Sequence, residues 1–480
     1  MLDSVLLWIE KNRALWIHDL KEFLAIPSVS AKPEHHGDIQ AAAEWAAFYL
    51  RGAGLNATLV KTAGHPCVLA TTPDDLCRPD APHILFYGHY DVQPAEPLEL
   101  WNSPPFTATI RDGKIFARGA SDDKGQVFCH LAALAAWKQI AYELPVRLTV
   151  LLEGEEEIGS PNLRAVIAEN ADRLASASTL IISDSSQFAR GVPAITTGLR
   201  GLVYYQMTVT GANTDLHSGV YGGAVANAAN ALSTILGQLH DNPGRVTVPG
   251  FYDHVQLPDP ALRAMWKTLP FDEKKLAQEL GVEQLYGESD FTTLERRWCR
   301  PTLDINGLTS GYQGAGAKTV LPATASAKLS MRLVPNQDAI KIAEAFETYI
   351  HQITPAGVRV KLERLSASPA ALTPSTSPAI AAAVEACEEG MGKKPVFVRE
   401  GGSIPVVTWF KEMLGIDSVL LGFGLPDDNL HAPNEKLDVE CFYAGIRTAA
   451  ALYDRLGAYP SNGRVATQSS VPPPAEPRAL

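Results

Sequence analysis

No CxxC pair occurs in the chain: Cys67, Cys77, Cys129, Cys299, Cys387 and Cys441 stand apart across 480 residues. That scatter excludes a zinc–thiolate knuckle and argues against a disulfide frame. Free buried thiols in a reducing cytoplasm are the expectation. Basic residues are also in deficit, with 41 Lys and Arg against 53 Asp and Glu and a net charge of -12. Nucleic acid and anionic membrane faces both need a basic surface, so neither is an expected partner. No apolar run approaches the roughly 18 residues needed to span a bilayer. The N-terminus carries Asp3 and Glu10 without a basic cluster, and so does not read as a secretory signal. Internal repeats are lacking too.

What remains is an ordinary globular composition, 46% hydrophobic and 20% charged. The length exceeds one ordinary core, so two or more domains are expected. Helical spacing of apolar residues runs over 3–25, stopping at Pro27, and again over 39–50, ending at Gly52 and Gly54. Ile84 to Tyr87 reads as a buried strand, followed by a Pro-rich loop over 94–105. Residues 124–141 read as a buried helix, and 147–152 and 179–183 as apolar strands. Strands alternating with helices imply a mostly parallel α/β sheet.

The composition shifts near Gly198. Residues 203–210 alternate as a half-exposed strand, and 222–240 read as an Ala/Asn-rich helix. A long irregular insert follows, with an acidic stretch at 270–297. Strand 325–334, helix 338–353 and strand 358–365 complete a small α+β sandwich. A Ser/Pro/Thr-rich linker over 366–378 leads back to helix 379–390 and strand 418–422. The expected fold is therefore α/β, with a mostly parallel-sheet catalytic domain in two parts, 1–197 and 373–458. Between them lies the inserted sandwich, 198–372. The tail 459–480, rich in Pro, Ser and Ala, is expected to be disordered.

Five stretches place acids or a histidine just past a strand or in a tight loop. His89 and Asp91 follow Gly88; Asp122 and Asp123 precede the helix at 124; Glu155, Glu156 and Glu157 follow Leu152; Asp184 follows LIIS; His431 follows VLLGFG. Alone, each has an ordinary reading: a surface turn, a helix cap or a solvated acidic face. Their coincidence at strand ends is what counts, because ligands bind at the C-terminal edge of such sheets. Carboxylates crowded there are costly unless cations sit among them. Two histidines and three carboxylates, one bridging, are what a pair of zinc or manganese ions would take.

The motifs GHYDVQP, GASDDKGQ, EGEEEIGS, the Asp after LIIS and the late HAPNE resemble the two-zinc metallopeptidases, the family of aminoacylases, glutamate carboxypeptidases and carnosinase-type dipeptidases. DLHSGVYGG, GAKTVLP, SMRLVPN and REGGSIPV resemble the cytosolic nonspecific dipeptidase branch most closely, and the likeness covers roughly residues 10–455. It implies that Asp122 bridges two metals, with His89 and Asp184 completing one site and Glu157 and His431 the other. Asp91 would hold His89 in its ligating tautomer. Glu156 would be the general base, taking a proton from a water activated by the metal pair and passing it to the leaving amine. The choice of Glu156 among three adjacent glutamates comes from the resemblance alone.

The resemblance further implies that His217, in DLHSG, stabilises the oxyanion, reaching across a homodimer formed by the inserted lid domain. Arg332 would pair with a substrate carboxylate. Thr319 and Ser403 would add hydroxyl contacts, Gly401 and Gly402 a close backbone approach, and Glu400 a contact to a free substrate amine. Some relatives carry a further substrate-contacting histidine where this chain has SASPAALTPSTS, so side-chain preference does not transfer. The implied activity is a cytoplasmic dipeptidase releasing a C-terminal amino acid from small peptides. The alternative is an N-acyl-amino-acid amidohydrolase on the same metals, or, from another class, a non-catalytic peptide-binding protein of the same fold.

Overall fold

The computed structural model describes residues 1–241, 244–402 and 404–459. Its main sheet runs in the order Asn56–Val60, Cys67–Thr71, Arg147–Glu153, His83–His89, Thr179–Ile182, Asp417–Leu420, Ala194–Leu199 and Ala371–Leu372. Val396–Glu400 also joins it, parallel to Ala194–Leu199. The middle of the sheet, from Arg147–Glu153 to Asp417–Leu420, is parallel. Antiparallel pairs close both edges.

Successive side chains of a strand point to opposite faces, and here both faces are covered. Ile84 and Phe86 pack into a core shared with helices Leu2–Lys11, His36–Gly52, Lys124–Ile140, Pro378–Met391 and Val439–Ala458. Leu85 and Tyr87 pack on the other side with Leu163–Glu169 and Pro405–Leu414. Burial on both faces is why the run reads as uninterrupted apolar sequence. Helix Lys124–Ile140 is wedged between sheet and Val439–Ala458, and residues on almost every side of it are buried. Each large apolar side chain sealed there contributes about 1.5–3 kcal/mol.

A second, antiparallel sheet has the order Thr302–Ser310, Thr324–Leu333, Gly201–Thr210, Arg359–Ser368. Gly201–Thr210 alternates buried and half-buried at every position. Val203, Tyr205, Met207 and Val209 face helices Ala228–Leu236 and Ala339–Ile353, while the intervening row faces away. Only Arg200 separates this strand from Ala194–Leu199 of the main sheet, so it sits at the junction of the two sheets.

Four expectations need correction. The single helix over 3–25 is two, Leu2–Lys11 and Arg13–Leu24, broken at Asn12, whose side chain donates to Trp8 O at 2.8 Å. The helix expected over 222–240 covers only Ala228–Leu236, because Asn227 caps it by accepting from Ala229 N. The insert contains helices Pro260–Lys267, Glu273–Glu279 and Thr293–Cys299, capped by Asp259, Asp272 and Thr292. The linker over 366–378 begins as strand, since Arg359–Ser368 extends into it and Ala371–Leu372 pairs with the main sheet. Of the expected tail, Tyr459 packs against the main core; residues 460–480 lie outside the described residues.

Candidate metal centre and active site

Strand register decides what gathers at the C-terminal edge. His89 lies opposite Glu153, and Tyr87 opposite Ile182. Asp91, Glu156, Glu157 and Asp184, just beyond these strands, therefore come together around His89. Asp122 arrives from the turn before helix Lys124–Ile140. That turn is tight: a Cβ on Gly125 would lie 1.8 Å from Ala120 O, so only glycine fits. The Asp122–Asp123 bond within it is cis.

Two donor groups result, and they share Asp122. His89, Asp122 and Asp184 bring ligand atoms within 4.8 Å of one another, and so do Asp122, Glu157 and His431. Asp122 Oδ1 lies 3.2 Å from His89 Nε2, and its Oδ2 lies 2.8 Å from His431 Nε2. Asp184 Oδ2 is 3.8 Å from His89 Nε2, and Glu157 Oε2 is 3.3 Å from His431 Nε2. The two oxygens of one carboxylate thus face two different imidazoles.

The donor chemistry fits divalent cations. It consists of carboxylate oxygens and imidazole nitrogens without a thiolate, a set that suits zinc and manganese. His89 Nε2 is buried without a hydrogen-bond partner, a costly state for a ring nitrogen. A cation between it, Asp122 and Asp184 would relieve that cost.

Electrostatics point the same way. Burial raises the Glu157 carboxyl to about 8 and the Asp184 carboxyl to about 7, with the charge of Asp122 adding to both. Burial raises Glu156 as well. The hydrogen bond to Asp122 is the largest influence on His431, raising it to about 9. Burial alone would raise Asp122, but the hydrogen bond from His431 and the nearby His89 imidazole hold it well below the ordinary carboxylate range. Carboxyls that retain protons near neutrality mark a place short of positive charge.

The three adjacent glutamates are separated by their partners. Glu155 is turned away, its Oε1 accepting from His65 N at 2.8 Å and both its oxygens accepting from Asn162 Nδ2. Glu157 accepts from Gln93 Nε2 at 2.8 Å and faces His431. Glu156 makes no side-chain hydrogen bond among the described residues, although its carboxyl senses His89, Asp91, Asp122 and His431. Asp91 does more than face His89. Its Oδ1 accepts from Glu156 N at 3.2 Å and its Oδ2 from Glu157 N at 3.1 Å. His89 Nδ1 lies 3.1 Å from the Asp91 backbone oxygen and 3.4 Å from Oδ1, so the carboxylate shares the ring nitrogen with the main chain.

The remaining expected site residues lie on or beside the second sheet. His217 sits in Leu216–His217, paired with Val320–Leu321, and its Nδ1 accepts from Gly219 N at 3.0 Å. Thr319 is exposed beside it, its carbonyl accepting from Ser218 N. Arg332 is half-buried opposite Thr302 and Leu202, close enough to Arg200 for the two charges to repel. Glu400 ends its strand with Arg297 and Arg200 nearby, whose charges oppose the upward push of burial on its carboxyl. At Gly401 a Cβ would meet the Arg200 guanidinium at 2.8 Å, a contact the flexible end of that side chain could yield; at Gly402 space is open. Ser403 lies outside the described residues. Among the described residues no hydrogen bond or ion pair links His217, Thr319 or Glu400 to the acid–imidazole cluster.

A match to the family described as "Peptidase family M20/M25/M40" covers residues 85–455. The chain belongs to this peptidase family. This M20 peptidase is 32% identical over 459 residues to the Cys-Gly metallodipeptidase DUG1 of Candida albicans, covering 92% of this chain and 94% of that protein. It is 29% identical to the human Beta-Ala-His dipeptidase, covering 94% and 92%. Among solved structures it resembles the M20 family metallo-carboxypeptidase Sso-CP2 of Sulfolobus solfataricus, with a TM-score of 0.80 and 33% identity over 92% of this chain and 99% of that one.

Sequence reasoning passed over several polar residues buried around the site of this M20 peptidase: Gln93, Arg118, Glu153, Asp428 and Glu435. All except Gln93 are almost completely buried. Each lies inside or beside a stretch already singled out for another residue. The available signal was a charged or amide side chain amid residues expected to be buried.

Proposed function

We propose that this M20 peptidase is a two-metal dipeptidase that hydrolyses the amide of a dipeptide or short peptide and releases the C-terminal amino acid. The observation that carries the reading is the pair of donor groups sharing Asp122, with the Glu156 carboxylate beside them and free of hydrogen bonds among the described residues. The relatives, two dipeptidases and a metallo-carboxypeptidase, support the substrate class. In this reading His89, Asp122 and Asp184 hold one zinc or manganese ion, and Asp122, Glu157 and His431 the other. When bound, such a pair supplies Lewis acidity and lowers the pKa of water.

The chain's own groups do the rest. Glu156 takes the proton of the attacking water and delivers it to the leaving nitrogen, holding it between the two steps. Asp91 orients it by holding the amides of Glu156 and Glu157. Arg332 offers a planar fork to the substrate carboxylate. Thr319 and the Gly401–Gly402 backbone, with Ser403, complete substrate contacts. His217 donates to the oxyanion from the partner subunit of a homodimer. Exposed Val220 and Tyr221 beside His217, and Ile305 and Leu308 on the edge strand Thr302–Ser310, support a dimer through the second sheet. The units 1–197 with 373–458, and 198–372, would act as catalytic body and lid. Six buried single thiols support a cytoplasmic setting. Among the described residues no helix is long and apolar enough to cross a membrane.

One observation favours N-acyl amino acids as substrates instead. Arg297 and Arg200 already face Glu400, which weakens its pull on a substrate ammonium. Hydrolysis of free dipeptides against N-acetyl amino acids, by protein loaded with zinc or manganese, decides between the two. Cleavage of dipeptides only, abolished in Glu156→Gln, is the expected result. Preference for acetylated substrates moves the assignment to the amidohydrolase, and turnover of neither by metal-replete protein defeats both.

A further inference from the structure

Glu435 has no part in the chemistry above, yet it is fully buried and aims its whole carboxylate at the loop that delivers Asp122. Its Oε1 accepts from Ser121 N at 2.9 Å and from Asp122 N at 3.1 Å. Its Oε2 accepts from Gly119 N at 3.0 Å and from Arg118 Nη1 at 2.7 Å. Those four bonds fill the acceptor sites of a carboxylate. Arg118 then reaches the other side, its Nη2 donating to Pro94 O at 3.2 Å and to Ala432 O at 3.4 Å, next to His431.

The His431 loop needs such support. His431, Asn429 and Asn434 all have φ near +60°, a left-handed conformation that costs a non-glycine residue roughly 1–3 kcal/mol. Asp428 adds a parallel tie. Its Oδ2 accepts from Ser121 Oγ at 2.9 Å and from Leu425 N at 2.7 Å, while its Oδ1 accepts from Lys436 Nζ at 2.7 Å. Asp122 and His431 are 309 positions apart in the chain, and these buried bonds run between their two loops.

We propose that Glu435 is a positioning residue that, with Arg118, sets the Asp122 and His431 loops at the separation at which both can share one cation. The inference rests on the metal reading of the preceding subsection. A buried ion pair that serves stability alone has no need to direct its acceptors at main-chain amides of a ligand-bearing turn. Loss of the Glu435 carboxylate therefore disturbs ligand geometry first and global stability second.

Glu435→Gln keeps the side chain's shape but turns an N–H toward the donors at Ser121 and Asp122 or toward those at Gly119 and Arg118. Four measurements on the full chain test it: zinc affinity by competition with a chromophoric chelator, the visible spectrum of the cobalt(II)-loaded protein, dipeptide hydrolysis, and melting of the metal-free protein. The expected result is an affinity loss of about 10–100-fold, an altered cobalt spectrum and a fall in kcat with KM nearly unchanged. A lowered melting temperature with zinc affinity and cobalt spectrum unchanged would make Glu435 merely structural and overturn the proposal. Should Glu435→Gln fail to fold, Arg118→Lys keeps the charge and loses the fork. It should weaken zinc binding in the same direction, and unchanged affinity there overturns the proposal equally. If the unsubstituted protein binds no divalent ion, the metal reading itself falls and takes this inference with it.

Discussion

Asp91→Asn tests whether a carboxylate that need not touch substrate positions Glu156, the proposed base. In the folded chain the two Asp91 oxygens accept separately from the amides of Glu156 and Glu157, and Oδ1 also lies 3.4 Å from His89 Nδ1. Asparagine preserves the shape and one acceptor, and presents an NH₂ to an amide that can only donate. A buried donor left without a partner costs about 1–3 kcal/mol. The remaining bond loses its ionic character, and with it roughly half its strength. The combined loss is on the order of 2–4 kcal/mol. If the whole of it is expressed in misplacement of Glu156, kcat/KM falls by roughly 30- to 1,000-fold, since 1.36 kcal/mol is a factor of ten. Urea unfolding of the metal-free protein reads the stability component, and dipeptide hydrolysis reads the catalytic one. A variant as stable and as active as the parent would refute the argument that Asp91 supports the glutamate turn.

Glu156→Gln should lower kcat by about 10²–10⁴-fold while retaining two metal equivalents, measured by atomic emission on the purified protein. Arg332→Lys keeps the charge and loses the bidentate fork, so KM for dipeptides should rise about tenfold with little change in kcat; an unchanged KM would place the carboxylate elsewhere. Divalent metal at a thousand times its Kd adds about 4 kcal/mol per site to the folded state, so chelation should lower the melting temperature, and His431→Ala should lose about half that shift. Buried His130, with Ser183 and Tyr453 hydroxyls at its two nitrogens, has its pKa lowered by burial to about 3, and burial lowers His83 to about 4. Because the unfolded chain takes up these protons near pH 6.5, the two histidines contribute a loss of stability as pH drops from about 6.5 toward 3, opposed in metal-free protein by the raised carboxyls of Glu157 and Asp184, which hold protons in the folded state. His130→Gln should make that slope shallower by up to about 1.4 kcal/mol per pH unit, read as urea midpoints of metal-free protein.

Local pattern was enough for several elements. The main-sheet strand His83–His89 and helix Lys124–Ile140 were legible because burial on all sides demands apolar residues throughout. Gly201–Thr210 was legible because one covered face imposes a period of two. The helices of the insert were missed because their stability starts from caps, where apolar periodicity is weak. Thr292 and Glu295 form a reciprocal capping box that could have been read directly. The break at Asn12 carried no such signal. It depends on Asn12 bonding back to Trp8 and on the Trp16 indole donating to Ile9 O at 3.0 Å, contacts that exist only in the folded turn.

For the site, the sequence by itself determined which kinds of atoms stand at the strand ends: two imidazoles, several carboxylates, and glycine where the turn at Gly125 admits nothing else. The tertiary structure decided their division of labour. Glu155 is held by His65 and Asn162, Glu157 by Gln93, and Asp91 by two amides more than sixty residues away. Glu435 and Arg118 tie together two loops that are remote in the chain. Periodicity tells which side of a strand or helix a residue takes, because that follows from backbone geometry. It does not tell which distant donor will meet a given carboxylate, since strand register and loop packing, set by the whole core, bring those groups within hydrogen-bond reach.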